Sequence, residues 1–447
     1  MGEGIMRIQL SDHFTLGRML RFTLPSIVMM VFTSIYSVVD GLFVSNFVGD
    51  NALAAINITM PMFLILGAFG FMLGTGGSAE VARTMGEGRE EEAKSYFTTL
   101  TIAVAALGTV LSLITILFIR PLCFFMGANE SLIEYCVVYG VICLVGNIPY
   151  MLQTFFQSFF ITAEKPKLGM LLTIVSGLLN MVLDWLFIAV LEWGIAGAAV
   201  ATSVGCAVGG IIPLFYFARK NTSRLCFVRP KFHGRMLLRS SVNGSSEMVS
   251  NASRALTTFL FNIQLIRLVG NDGVTAITVM QYVNFVFIAV MIGFSVGAAP
   301  VIGYHYGAQN CGELKNLFRI CMTFILLASA AMFVLAQATA IPLVAVFTNH
   351  QALYEMTLYG FRIFAVSFLV VGVNIFASAF FTALCNGKIS AAISFVRTIV
   401  FEAGAVLLLP VFFDVDGVWM ALPVAEGLTL IISIACLLFF RKRYGYA

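Results

Sequence analysis

Apolar residues along this chain gather into runs of about twenty, separated by short polar breaks. The runs are centred near Val31, Leu66, Leu107, Val145, Leu179, Val204, Leu256, Ile288, Leu327, Leu369, Val400 and Leu430. About twenty apolar residues suffice to cross a bilayer as a helix. The pattern therefore predicts an all-α integral membrane protein with twelve transmembrane helices, rather than a barrel.

Polar residues inside the runs are ordered. In Leu168 to Leu191, Thr173, Ser176, Asn180 and Asp184 recur at spacings of three and four and so share one helical face. The first run carries Ser26, Thr33, Ser37 and Asp40 on one face, with Tyr36 one turn before Asp40. An ionised carboxylate at the bilayer centre costs roughly 2.5–3.5 kcal/mol even on the lenient insertion scale. Asp184 must therefore face protein or water. A buried acid that only pins a neighbouring helix is one reading; a place on an ion or proton path is the commoner use of such a residue.

Both acids fall toward the outer ends of their spans, where they could meet at one depth. Two carboxylates brought together in low dielectric favour retention of a proton by one of them. With Asn180 and Thr202 they also offer the oxygen ligands a hard cation wants, in which case Asp40, Asn180 and Asp184 would hold sodium. The residues leave proton and sodium open.

A shift of 221 residues superposes Gly76 on Gly297, Gly86 on Gly307, Lys94 on Lys315, Pro121 on Pro342, Phe159 on Phe380 and Lys167 on Lys388. Six spans per copy make the copies run the same way through the membrane, as parallel repeats do in transporters. The expected organisation is a first six-helix bundle over 1–218, a basic connector over 219–238 and a second bundle over 239–447. Under the same shift Asp40 falls on Phe261 and Asp184 on Ala405. The acid pair thus belongs to the first copy alone.

The second copy has its own intramembrane charges, Glu247, Arg254, Glu402 and Glu426. Glu247 and Arg254 are seven apart on one face, and Arg254 has no evident route to solvent; the set either lines a substrate path or forms a structural ion network. Tyr36 and the polar stripes with Tyr150, Gln153 and Gln157, with Gln281, and with Asn374 and Ser378 are expected to line a central cavity. Interhelical hydrogen bonds worth ~0.6 kcal/mol each are the plainer account.

Composition agrees. Of 447 residues, 60% are hydrophobic and 11% charged, against about 45–50% and 25% in a soluble domain, and mean hydropathy is +0.96. The polar opening stretch MGEGIMRIQLSDHF suggests no cleavable leader. Arg18, Arg21, Arg83, Arg89, Lys94, Lys165, Lys167, the seven basic residues from Arg219 to Arg239, Lys315, Arg319, Lys388, Arg397 and Arg441 to Arg443 fall on one side, as Arg7 does. Only Arg120, Arg267 and Arg362 fall on the other, which puts both termini in the cytoplasm of a plasma-membrane protein. The net charge of +4 follows this topology and implies no nucleic acid. Nine cysteines without a CxxC pair, four histidines without metal spacing and GTGGSA without a P-loop ending leave no enzyme chemistry and no cofactor. Gly70 with Gly74 and Gly293 with Gly297 read as close-packing GxxxG pairs.

Three stretches of the first half, VVDGLFVSNFVGDNALAA (38–55), GTGGSAEVARTMGEGREEEA (74–93) and ITAEKPKLGMLLTIVSGLLNMVLDWLFI (161–188), resemble the multidrug and toxic compound extrusion (MATE) family. GFSVGAAPVIGYHYGAQN (293–310) and GVWMALPVAEGL (417–428) fit as well, and NGSSEMV (243–249) resembles the bacterial MepA-like branch. The resemblance implies two six-helix bundles in a V, alternating access, and export of small polyaromatic or cationic compounds in exchange for sodium ions or protons. It implies that Asp40, Asn180, Asp184 and Thr202 handle the coupling ion. Glu247 matches a key acid of other members, whereas their second acid, in the tenth span, has no counterpart here. A carrier working as a monomer in membrane lipid is expected; the alternative is a lipid-linked precursor flippase of the same superfamily, which would want several intramembrane cations.

Overall fold

The computed structural model describes residues 8–48, 50–347 and 351–446; the side chains at 37–47, 50, 53, 255 and 346–347 lie outside that description. The first half comprises α1 (Leu16–Phe47), α2 (Asp50–Gly86), α3 (Glu90–Leu117), the short α4 (Ile119–Phe125), α5 (Ile133–Thr162), α6 (Pro166–Asp184) with a π-helical extension Trp185–Val190, and α7 (Gly194–Ala218). The second half comprises α8 (Gly234–Val269), α9 (Asn271–Gly307), α10 (Cys311–Phe347), α11 (Gln351–Phe364), α12 (Phe368–Ala383), α13 (Gly387–Phe395), a π-helical segment Val396–Glu402 and α14 (Ala403–Tyr444). The last residues of the expected 219–238 connector are thus already helix.

Ten stretches among the described residues are long and apolar enough to cross a membrane. One of them, Gly387–Tyr444, has 58 residues, about twice what a bilayer needs. It folds back at Asp414, where φ is 48° and ψ is −128°, and Gly417 then lies against the backbone of Leu409 and Pro410. The helix α8 has spanning length but is diluted by Asn243, Glu247, Asn251 and Arg254. Dividing the first and including the second yields the twelve expected spans.

The 221-residue repeat is written in the backbone. Glu164 and Cys385 correspond under it and have φ of 58° and 56°; Gly88 and Gln309 correspond and have 80° and 54°. Each ends a helix with the same six-to-one bond, as in Lys165 N–H to Phe160 O (2.7 Å) and Asn386 N–H to Phe381 O (2.8 Å).

The halves meet at the end carrying most Lys and Arg, called the basic end below. An ideal Cβ on Gly76 would stand 2.1 Å from Ser240 O, and one on Gly244 only 1.8 Å from Met72 O, so α2 and α8 touch backbone to backbone. Asn243 Nδ2 donates across the same seam to Gly76 O at 3.4 Å and, within the second half, to Thr382 O at 2.9 Å. The two GxxxG pairs pack as expected but on different partners: Gly70 and Gly74 on α5 of their own half, Gly293 and Gly297 on Thr23 to Ile27 of α1 in the other. One apolar cluster, from Phe14 and Phe97 to Phe294 and Phe380, runs through both halves here.

Candidate functional site

In the first half the α6 stripe is buried throughout: Thr173 is 3% exposed, Ser176 and Asn180 4%, and Asp184 1%. Ser176 Oγ donates to Gly205 O of α7 at 2.5 Å and accepts from Gln153 Nε2 of α5 at 3.1 Å. Phe32 and Tyr36 of α1 rest against Gly177, with Phe32 Cε1 2.6 Å from the position of an ideal Cβ. Asp184 lies two turns further along this α1-facing side, and the helix passes into the π segment immediately after it. Such segments mark functional positions often. Helix α7 runs antiparallel to α6, with Gly205 against Asn180 and Gly197 against Phe187. That register puts Thr202, whose Oγ1 donates to Ala198 O at 3.0 Å, within a turn of Asn180 and Asp184. The structure therefore assembles Tyr36, Asn180, Asp184 and Thr202 in one region. The side chain of Asp40 lies outside the described residues, so its meeting with Asp184 is not part of this geometry.

The polar stripes turn elsewhere than expected. Gln153 and Gln157, with Thr173 and Gly209, border a void of about 10 Å³ inside the first half, room for about one water. Asn374 donates through Nδ2 to Glu426 Oε2 at 2.7 Å, and Ser378 Oγ is 2.9 Å from Ser390 Oγ and 3.0 Å from Ser394 Oγ, all inside the second half. The repeat relates these pairs, but each is bonded within its own bundle and the four do not surround one shared cavity.

The second-half charges do come together. Arg397 was expected among the loop cations beside Lys388; it lies instead within the eleventh span, in the π segment, with Nη2 2.7 Å and Nε 2.8 Å from Glu426 Oε1. Its nine-residue distance from Lys388 is about 13 Å of helix, a signal that it had left the membrane surface. Arg254 was expected to lack a route to solvent, yet it is exposed. It lies over the Phe285 ring at 5.4 Å and within electrostatic range of Glu247, Glu402, Arg397 and, from the first half, Tyr150. Arg254 is thus exposed while lying within range of groups from both halves. Gln281 stands near it, its Oε1 accepting from Thr258 Oγ1 at 3.4 Å. Tyr150 is stacked on Phe63 at 4.7 Å and 20°. Tyr150 was among the expected cavity residues; Phe63, and Arg397 as a member of this group, had no such signal in the sequence. Among the described residues no group of three His, Cys, Asp or Glu side chains is arranged to hold a metal ion.

The MatE family profile matches residues 25–186 and 248–405. The chain belongs to the MatE family. Its members are transporters and not enzymes, and they need no cofactor. Multidrug export protein MepA of Staphylococcus saprophyticus is 23% identical over 95% of this chain and 94% of its own length; MepA of Staphylococcus aureus strain NCTC 8325 is 22% identical with the same coverage. Among solved structures, a MATE crystallised in complex with MaL6 superposes with a TM-score of 0.91 over 98% of both chains, at 22% identity. An outward-facing multidrug resistance MATE transporter gives 0.91 over 99% of both. A Pyrococcus furiosus transporter of the MOP superfamily, described as having a binding pocket of reversed polarity, gives 0.89 over 99% of both, also at 22% identity. The MatE fold, with its twelve spans, is thereby shared along the whole chain, and the protein is a multi-pass membrane transporter.

Proposed function

We propose that this MatE protein is an antiporter of the cytoplasmic membrane, exporting small organic aromatic cations in exchange for protons or sodium ions. The observation that carries this reading is Asp184: a carboxyl 1% exposed, inside an apolar bundle toward the outer end of its span, on the face shared with Asn180 and approached by Tyr36 and Thr202. An acid placed there at a cost of several kcal/mol is used for ion passage. Asp40, four residues beyond Tyr36 on α1, completes the coupling set, and with sodium as the ion Asp40, Asn180 and Asp184 are its ligands.

Occupancy of this site by an ion competes with drug in a cleft between the bundles, where the Tyr150–Phe63 stack offers a ring surface to a flat cation. Coupling needs only that ion and drug prefer different arrangements of the two bundles. The seal at the basic end leaves the cleft to the opposite side, the arrangement of an outward-facing carrier, with both termini cytoplasmic. Bundles 1–218 and 239–447 rock about this seal within a single chain. Glu247, Arg254 and Gln281 line the second-bundle wall; Gln153, Gln157, Asn374 and Ser378 support the walls from inside each bundle.

The flippase reading has one intramembrane cation in its favour, Arg254, because Arg397 is neutralised by Glu426. Vesicles loaded with a fluorescent aromatic cation, with sodium and proton gradients imposed separately, test the proposal. Export driven by one gradient supports it and names the ion; export indifferent to both refutes antiport.

A further inference from the structure

Two chain segments cross the basic end, and each is fastened to the half to which it does not lead. Residues 8–15 lead into α1 of the first half. Within them the Phe14 N–H donates to Glu313 Oε1 at 2.9 Å, His13 Nδ1 is 2.6 Å from Glu313 Oε2, and Asn316 Nδ2 donates to Phe14 O at 2.8 Å. Glu313 and Asn316 are in the first turns of α10, in the second half. Residues 226–233 lead into α8 of the second half. Their Val228 N–H donates to Thr98 Oγ1 at 3.1 Å, Lys231 O accepts from Thr99 Oγ1 at 2.7 Å, and His233 Nε2 is 3.0 Å from Ser95 Oγ. Those partners are on α3, in the first half. The 221-residue shift that relates the halves carries Ser95 onto Asn316, so the two crossings are equivalent.

The first crossing is the more deeply set. Leu10 and Phe14 are 0% exposed, and the Leu10 N–H donates to Glu164 Oε1 at 3.0 Å. Arg224, just ahead of the other segment, ties the same carboxylate at 3.2 Å and donates to Gln9 Oε1 at 3.1 Å. Bonds to a carboxylate are about twice as strong as neutral ones. Residues 8–15 are bound to the first half through α1 itself and through Glu164. For the bundles to separate at this end, the segment must therefore let go of Glu313 and Asn316.

We propose that Glu313 and Asn316 are positioning residues that latch the basic end shut, and that their release sets the rate at which the carrier turns over. This rests on the alternating-access reading above. The experiment is hydrogen exchange on the full chain in detergent, paired with ethidium export from proteoliposomes. The variants are Glu313→Ala with Asn316→Ala, Glu313→Gln alone, and Glu134→Gln at the opposite end as control. In the double variant, amides of residues 10–14 and of α8 around Asn243 exchange at least tenfold faster while the centre of α5 does not. Its turnover changes at least threefold with KM within twofold, and the control matches wild type. Glu313→Gln keeps an oxygen for the Phe14 N–H but loses the charge, and exchange at Phe14 rises at least threefold; it decides alone if the double variant does not fold. Unprotected amides at 10–14 in the wild type, faster exchange throughout α5, or unaltered turnover with a released segment overturns the proposal. A wild type that exports no ethidium under any gradient refutes the export reading, and the exchange measurements still judge the latch.

Discussion

Glu426 of the twelfth span holds Arg397 of the eleventh through one carboxylate oxygen and Asn374 of the tenth through the other, at 2.7 Å in each case. Three consecutive spans are thereby joined by one buried acid that is 1% exposed.

Removing one partner of a buried pair leaves the other charge uncompensated, which is far worse than removing both. Arg397→Ala is expected to lower stability by about 3–5 kcal/mol, read as a fall in the melting temperature of the purified protein in detergent. Arg397→Met combined with Glu426→Leu restores most of the loss. Equal losses in the single and double variants would show that the pair contributes through its packing alone.

Asp184→Asn keeps the shape and hydrogen-bonding capacity of the side chain and removes its titratable charge. The variant is expected to insert and melt as the wild type does and to bind drug, yet to show no export driven by an ion gradient. Gradient-driven export at the wild-type rate removes Asp184 from coupling.

Gly244→Ala places a methyl group where Met72 O stands 1.8 Å away, closer than any real contact, and prises α2 from α8. A cysteine substituted at Ser240, 0% exposed in this seam, should then react with an impermeant maleimide at least tenfold faster than in a Gly244 background. Equal rates would show that the close approach is not what seals the basic end.

Cys311 is exposed and Cys226 half-exposed, both at the basic end. Cys385, between α12 and α13, is half-exposed like Cys226, but the setting of its thiol, mainly burial, pushes it well above the usual range, so its reactive thiolate is scarce. An impermeant maleimide should modify Cys311 and then Cys226 in inside-out vesicles, and neither in right-side-out vesicles, with Cys385 spared in both. Labelling in right-side-out vesicles reverses the proposed orientation.

Much of this molecule was legible in one dimension. Apolar run length marks helices that must hide their own backbone in lipid, so twelve spans followed from the chain, α8 included despite its polar residues. The 221-residue shift followed too, and the structure repeats it in the left-handed residues Glu164 and Cys385. Helical period placed Thr173, Ser176, Asn180 and Asp184 on one face, and all four are buried together.

Period says which residues share a face but not what that face meets. Gln153 with Gln157 and Asn374 with Ser378 correspond under the repeat, and only the packing of their neighbours turned each pair into its own bundle. Arg397 looked like a loop residue because its partner, Glu426, is 29 positions away and reaches it only when the chain folds back at Asp414. The crossing of residues 8–15 onto Glu313, about 300 positions distant, leaves no periodic trace at all. Such contacts are chosen by the way two finished bundles fit against each other, and that fit is decided in three dimensions.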